Sequence, residues 1–178
     1  SEAESRKLTV KIVLLVAGLA LAACTNPGRF GNEAGGGAGA GGIGSGAIVP
    51  GSANDPTSTA YFNQPVGDRV LFAVDQSDIN PDGQVVLDGQ ATWLLTNTDF
   101  TAVIEGHADE QGTREYNVAL GARRANAVRE YLISRGVAGN RLRTVSYGKE
   151  RPIEICSNEA CYAKNRRAVT VLAGGLSG

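Results

Sequence analysis

The fold is decided by Ile104–Ala125, which reads IEGHADEQGTREYNVALGARRA. The stretch begins with the apolar end of a strand, continues through a charged loop that contains glycine, and enters a long amphipathic helix. Asp109 lies in the loop and Arg124 lies in the helix. A carboxylate and a guanidinium placed in this way can bind one small ligand that carries both charges. We therefore treat these two residues as the first candidate binding pair.

The segments on both sides of this stretch predict an α+β domain. Asn80 followed by Pro81 is a typical helix start, with a capping side chain and proline at the first position. Gly136 suits the left-handed residue after a helix. The predicted elements are strands at 69–74, 101–106, 141–147 and 168–172, helices at 81–97 and 113–136, and a segment at 156–161 that can carry a short helix. This order predicts a two-layer sandwich with the helices on one face of a four-stranded mixed sheet.

The second predicted helix has one apolar face. Its members recur at steps of four, three, three and four, and they are Val118, Ala122, Ala125, Val128 and Leu132. This spacing follows the 3.6-residue period of an α-helix. Asn117 and Arg124 are seven residues apart and lie about 100° from the centre of that face. We expect both side chains on the flank of the helix, neither buried nor turned fully away.

Composition divides the chain into three parts. The net charge is −1 and no basic run is present, so the positive field that binds nucleic acid is missing. Most of the glycine excess lies in residues 24–62, which we predict to be a flexible linker because they offer little apolar surface to bury. Pro65 and the prolines before it argue against a helix at the end of that linker. Residues 63–178 are predicted to form one globular domain.

The N-terminal segment is typical of an export signal. A short positive segment precedes the apolar run Ile12–Ala23, which is shorter than the roughly 20 residues that cross a bilayer. Leu21–Cys24 resembles the lipobox of bacterial lipoproteins, which predicts a signal peptide at 1–23 and lipidation of Cys24. The alternative is an ordinary signal with a chance cysteine. Thr25 stands where an inner-membrane retention signal has Asp, so the resemblance implies the outer membrane, facing the periplasm.

The other two cysteines are Cys156 and Cys161, in a C-x4-C spacing. An oxidising compartment lets disulfides persist, and a bridge across so short a loop should add only about 2 kcal/mol. Free thiols remain the alternative. A metal pair is disfavoured because the single histidine is distant in sequence and no second cysteine pair exists. We predict no metal and no cofactor.

Four motifs carry a resemblance to a known family. They are EGHADEQGTREYN at 105–117, N-x-x-L-G-x-x-R-A at 117–125, VSYGKE at 145–150 and NRRAV at 165–169. In this order they closely resemble the OmpA-like C-terminal domain, over roughly Val66 to Leu172. The resemblance implies a non-catalytic domain that binds the peptide stem of peptidoglycan through meso-diaminopimelate.

The resemblance also assigns the site. The principal ligand-binding residues of the family fall on Asp109 and Arg124. Asp109 can accept from the ammonium of diaminopimelate, and the planar fork of Arg124 can hold its carboxylate at two points. Val74 and Asp75, at the end of the first strand, and Asn117, beside Arg124 on the helix, complete the predicted site. The sequence departs from the family at Val74 and Ser77, where aromatic side chains are expected.

The resemblance and the lipobox together imply a lipoprotein that links the outer membrane to peptidoglycan, with TolB and other Tol proteins as partners in cell division. Two alternatives remain. A peptidoglycan hydrolase could use His107, Glu110 and Glu115, although one histidine without a second is a poor metal ligand set. The other alternative is an envelope scaffold without a ligand. Asn165, Arg166 and Arg167 are predicted to cap and brace the last strand, with contact to the glycan around the ligand as the alternative.

Overall fold

The computed structural model describes residues 48–174. The predicted signal peptide, the predicted lipidation site Cys24 and the linker up to residue 47 lie outside the described residues. The elements are α1 Thr59–Tyr61, a π-helical turn Phe62–Gly67, β1 Arg69–Leu71, α2 Pro81–Thr96, β2 Phe100–His107, α3 Arg114–Ser134, a 3-10 turn Gly139–Arg141, β3 Leu142–Gly148, α4 Glu159–Asn165 and β4 Arg167–Gly174. Within 48–174, no helix combines the length and the apolar character needed to cross a membrane.

The four strands form one mixed sheet in the order β1-β4-β2-β3. β2 and β3 are parallel, and the other two pairings are antiparallel. The predicted two-layer α+β architecture is confirmed. β1 ends at Leu71 rather than at the predicted residue 74. One further bond, from the N–H of Phe72 to Arg166 O at 2.9 Å, continues the pairing with the residue before β4, and the chain then leaves the sheet as a loop.

The core lies between the helices and one face of the sheet. The strands contribute Val70, Ala102, Ile104, Leu142 and Ala168, and the helices contribute Leu87, Leu94, Ala125, Val128 and Leu132. Trp93 belongs to this core, and its ring centroid lies 5.0 Å from those of Phe62 and Phe100. The apolar face predicted for the second helix is wrong in its first half, because Val118 and Ala122 are exposed.

The packed part of the chain extends into the predicted linker. Phe62 is fully buried, and the indole N–H of Trp93 donates to Pro56 O at 2.8 Å. The boundary at residue 63 is therefore too late, since Trp93 gives the preceding residues a partner that local composition does not reveal. The expectation from Pro65 was also wrong. Because π-type bonds join residues five apart, a turn that starts at Phe62 needs no N–H donor from Pro65.

Helix α3 lies unusually close to the sheet at two glycines. A Cβ atom added to Gly106 of β2 would lie 1.8 Å from the backbone oxygen of Gly121 in α3. A Cβ atom added to Gly121 would lie 2.4 Å from Ser146 Oγ of β3. Only residues without side chains permit this approach. The close contact places Arg124, one turn after Gly121, directly over the end of β2.

Candidate functional site

A cleft of about 280 Å³ lies beside the loop that follows β2. It is lined by Val74, Asp75, Asp109, Gln111, Gly112, Tyr116, Asn117 and Leu120. Four of the five residues predicted for the binding site thus come together here, from three separate segments of the chain. The fifth, Arg124, is not among the lining residues.

Arg124 is completely buried, with 0% of its surface exposed. The expectation that Arg124 and Asn117 lie on the flank of the helix is wrong, because both side chains point inward. The guanidinium donates from Nε to Gln76 O at 2.8 Å, from Nη1 to His107 O at 2.8 Å and from Nη2 to Ala73 O at 3.1 Å. It therefore joins the loop after β1 to the end of β2.

Asp109 is held by a residue that the sequence did not place in the site. Its Oδ2 accepts from Arg166 Nη1 at 3.1 Å, and its Oδ1 accepts from the N–H of Gln111 at 3.1 Å. Arg166 also donates to Phe72 O at 3.2 Å and pairs with Glu159. The interpretation of Arg166 as only a brace for the last strand is incomplete. The one available signal in the sequence was that Arg166 belongs to the NRRAV motif at 165–169.

An aromatic side chain does line the cleft, but it comes from α3. Tyr116 is 43% exposed, lines the cleft and donates its hydroxyl to Asp75 Oδ1. Asp75 has a φ of 60°, a left-handed conformation that Asp and Asn adopt more readily than most residues. Val74 is 53% exposed at the cleft wall. Tyr116 thus supplies the aromatic surface that the sequence lacks at Val74.

The loop after β2 is fixed by side chains from α3 and from the residue that follows β3. Asn117 Nδ2 donates to Gln111 O at 2.7 Å, and Lys149 Nζ donates to Gly112 O at 2.7 Å. Gly112 has a φ of 90°, which favours glycine at this turn. The buried Asn117 therefore positions the loop from beneath, and Asp109 is presented on a rigid support.

The negative and positive charges around the cleft lie at different depths. Asp75 and Asp109 line its surface, whereas the Arg124 guanidinium lies behind it. Burial lowers the pKa of Arg124 to about 10, and the nearby carboxylate of Asp109 opposes that shift. Arg124 consequently remains a cation at neutral pH. The cleft offers carboxylate oxygens to a ligand ammonium, with a positive charge held further in.

A comparison with protein families matches residues 71–166 to the OmpA family, which is more than half of the chain. The chain belongs to the OmpA family. A peptidoglycan-associated lipoprotein of Rhizobium meliloti strain 1021 is 50% identical over 166 residues, covering 93% of this chain and 89% of the relative.

Two solved structures share the OmpA-family fold. The peptidoglycan-associated lipoprotein of Burkholderia pseudomallei matches with a TM-score of 0.61 and 37% identity, covering 68% of this chain and 98% of that one. The C-terminal domain of Helicobacter pylori MotB matches with a TM-score of 0.57 and 24% identity, covering 61% of this chain and 86% of that one. The similarity to the MotB domain concerns the fold alone.

Two further groups of this OmpA-family domain lie close to the cleft. Cys156 and Cys161 are joined in a disulfide, with Cα atoms 6.2 Å apart. The short helix predicted at 156–161 begins later, at Glu159, where Asn158 caps it by accepting from the N–H of Cys161. Glu110, next to Asp109, lies against the two sulfur atoms.

We expect His107 to make the stability of this domain depend on pH. Burial, followed by the charges of Arg167 and Arg151, lowers its pKa to about 4. The imidazole also faces Glu105, with Nε2 3.6 Å from Oε2, and the ring of Tyr147. Because the folded pKa is below the unfolded value of about 6.5, the stabilisation is complete above pH 6.5 and is lost as pH falls towards 4.

We expect the unfolding free energy of the parent to fall by about 2 to 3 kcal/mol between pH 7 and pH 4.5 through this one group. Chemical denaturation at the two pH values measures the change. The unfolding free energy of His107→Gln should fall less than that of the parent over the same pH interval. The difference should equal the contribution of His107, because glutamine does not titrate. Equal falls in parent and variant would contradict the assignment.

Proposed function

We propose that this protein is a non-catalytic lipoprotein of the cell envelope that binds peptidoglycan through the meso-diaminopimelate of its peptide stem. The observation that carries the proposal is the convergence of Asp75, Asp109 and Tyr116 on one cleft in a chain whose relatives are named peptidoglycan-associated lipoproteins. A cleft lined by carboxylates and an aromatic ring suits a ligand with an exposed ammonium on an aliphatic stem.

Diaminopimelate carries an ammonium and a carboxylate at the free end of its side chain. In the proposed complex the ammonium lies against Asp109, whose position is fixed by Arg166 and Gln111, with Asp75 as a second acceptor. The ring of Tyr116 covers the aliphatic part. Neutral stems and stems with only one charge would leave one of these groups unpaired, which supports selectivity for the zwitterion.

Arg124 is the proposed partner of the ligand carboxylate. Three of the five N–H donors of a guanidinium are engaged by Gln76, His107 and Ala73. One N–H then remains on each terminal nitrogen, and a carboxylate can accept from both. Because Arg124 is fully buried, this contact requires the 73–76 loop to move aside. In the unliganded domain the same residue holds that loop in place.

The remainder of the proposal concerns the anchor and the partners. Lipidation at Cys24 would attach the chain to the outer membrane, with the domain in the periplasm. The domain would thereby tether the outer membrane to the cell wall. We further propose that it works with TolB and other Tol proteins in envelope constriction at division.

A binding assay with purified peptidoglycan tests the site. Asp109→Asn keeps the shape of the side chain but removes the charge that receives the ammonium. We expect the Kd for peptidoglycan to rise by at least roughly tenfold, the factor that corresponds to about 1.4 kcal/mol and to the lower end of a charged hydrogen bond. Asp75→Asn should weaken binding less, and asparagine tolerates the left-handed backbone at this position.

Asp99→Asn is the matched control, because Asp99 is exposed and is not a lining residue of the cleft. Thermal unfolding of each variant separates lost binding from lost folding. If folded Asp109→Asn sediments with peptidoglycan as well as the parent does, the proposed site is wrong. The same incubation tests the hydrolase alternative. If the parent releases muropeptides and Glu110→Gln or His107→Gln abolishes that release, the protein is a hydrolase and the non-catalytic function is wrong.

A further inference from the structure

The side chain of Glu110, next to Asp109, is an unsatisfied polar group. Both carboxylate oxygens are buried, and within residues 48–174 neither has a hydrogen-bond partner. The neighbouring Asp109, by contrast, has two donors. A buried carboxylate without a donor is costly, so such a group in a folded protein calls for a physical reason. A cation is one of the few partners that can balance it.

Two sulfur atoms lie where that cation would bind. A carboxylate oxygen of Glu110 and the Sγ atoms of Cys156 and Cys161 are all within 4.8 Å of one another. At Zn–S distances of about 2.3 Å, two sulfurs of a tetrahedral site are about 3.8 Å apart. Opening the disulfide allows the sulfurs to separate to that distance. The sequence could not reveal this group, because Glu110 lies far from the cysteines along the chain.

We propose that Glu110, Cys156 and Cys161 form a Zn²⁺ site when the disulfide is reduced. Three protein ligands, two thiolates and one carboxylate, leave the fourth tetrahedral position for water. Zinc binds thiolate and carboxylate ligands together, whereas harder cations such as Mg²⁺ and Ca²⁺ prefer oxygen alone. The carboxylate ligand of the site, Glu110, belongs to the loop that presents Asp109. The site does not depend on the proposed peptidoglycan binding.

The surroundings of the cluster suit a metal-bound thiolate. The fully buried Asn165 directs its Nδ2 towards Cys161 Sγ at 3.9 Å, and donors of this kind orient and stabilise metal ligands. Two thiolates and one carboxylate around Zn²⁺ carry a net charge of −1. The ammonium of Lys149, whose Nζ donates to Glu110 O at 3.3 Å, supplies the compensating positive charge.

The conversion requires a reductant of the dithiol class. A dithiol delivers two electrons and two protons: the S–S bond between Cys156 and Cys161 breaks, two thiols form, and the reductant becomes a disulfide. Zn²⁺ then replaces the two thiol protons, which pass to water. The oxidised protein has no thiolate to offer and is the form that should not bind the metal.

The test uses the full chain with Cys24→Ser, so that the third cysteine contributes no thiol. The protein is reduced with a dithiol, freed of the reductant under argon and titrated with Zn²⁺ against a chromophoric chelator. Co²⁺ serves as a spectroscopic probe, since thiolate coordination produces a charge-transfer band in the near ultraviolet. We expect one Zn²⁺ per reduced chain, a thiolate band with Co²⁺, and no binding by the oxidised chain.

The variants decide the role of each ligand. Glu110→Gln should raise the Kd for Zn²⁺ by at least roughly tenfold, the lower end of the loss caused by removing an outer partner of a metal ligand. Glu115→Gln, at an exposed glutamate five residues on, should bind as the parent does. The proposal fails if the reduced chain binds no Zn²⁺, if Glu110→Gln binds as tightly as the parent, or if oxidised and reduced chains bind equally.

Discussion

Replacing Arg124 with Met is expected to remove about 3 to 5 kcal/mol of unfolding free energy and to abolish peptidoglycan binding. The guanidinium is fully buried and donates to three backbone carbonyls from two segments, Ala73–Gln76 and the end of β2. Methionine fills similar space but leaves those carbonyls without donors, each at a cost of about 1 to 3 kcal/mol when it stays buried. Chemical denaturation and peptidoglycan sedimentation measure the two effects.

Two further variants test whether the effect depends on the position of the side chain or only on its charge. Arg123→Met removes a neighbouring charge from an exposed side chain that lies over the Tyr116 ring, and it should leave the unfolding free energy within about 0.5 kcal/mol of the parent. Arg124→Lys retains the charge but cannot reach three carbonyls in a planar fork, so it should lose most of the stability that Arg124→Met loses. A stable Arg124→Lys variant that binds normally would show that charge alone matters and that the loop needs no guanidinium.

The parts of the fold that local chemistry determines were predictable from the sequence. Asn80 caps α2 by accepting from the N–H of Gly83 at 2.7 Å, and Thr113 caps α3 in the same way from Tyr116. Gly136 adopts a φ of 101° directly after α3. Each of these signals acts within a few residues. The packing of residues 56–62 was not predictable, because it depends on Trp93, which is more than thirty residues away.

The buried face of α3 was predicted from the wrong residues for a physical reason. Apolar periodicity counts side chains, and Gly121 has none, although it makes the closest contact between α3 and the sheet. With Gly121 at the sheet, the adjoining inward positions are Asn117, Leu120 and Arg124, all of which are buried. The exposed Val118 falls outside this face. Asn117 and Arg124, which donate hydrogen bonds to backbone carbonyls, are thus buried at positions that the hydrophobic pattern assigns to the flank of the helix.

The resemblance to the OmpA family selected residues that the structure brings to one cleft, but it could not give their partners. Asp109 and Arg166 are 57 residues apart in sequence and meet only because β4 lies beside β2 in the sheet. Tyr116 was passed over because the expected aromatic positions belong to the loop after β1. Pairings of this kind depend on sheet order, which residue spacing does not specify.

Gly106→Ala is expected to have the largest effect of any single methyl group added to this domain. Its Cβ would lie 1.8 Å from the backbone oxygen of Gly121, and a helix backbone cannot rotate away as a flexible side chain can. Overpacking in cores usually costs about 1 to 3 kcal/mol, and a backbone clash of this size should cost at least the upper end of that range. Chemical denaturation measures the loss. Because α3 must move outward, the bonds of Arg124 to Ala73 and Gln76 should lengthen, and peptidoglycan binding should fall with stability.

Gly89→Ala is the control, since it adds the same methyl group to a helix where the nearest atom, Val66 Cγ1, is 3.4 Å away. There the higher helix propensity of alanine should stabilise the domain by up to about 1 kcal/mol. Gly121→Ala gains the same propensity but meets Ser146 Oγ at 2.4 Å and Gly106 O at 2.8 Å, so it should still destabilise. If Gly106→Ala and Gly89→Ala unfold alike, α3 does not depend on the glycine contact for its position, and the burial of Arg124 must have another cause.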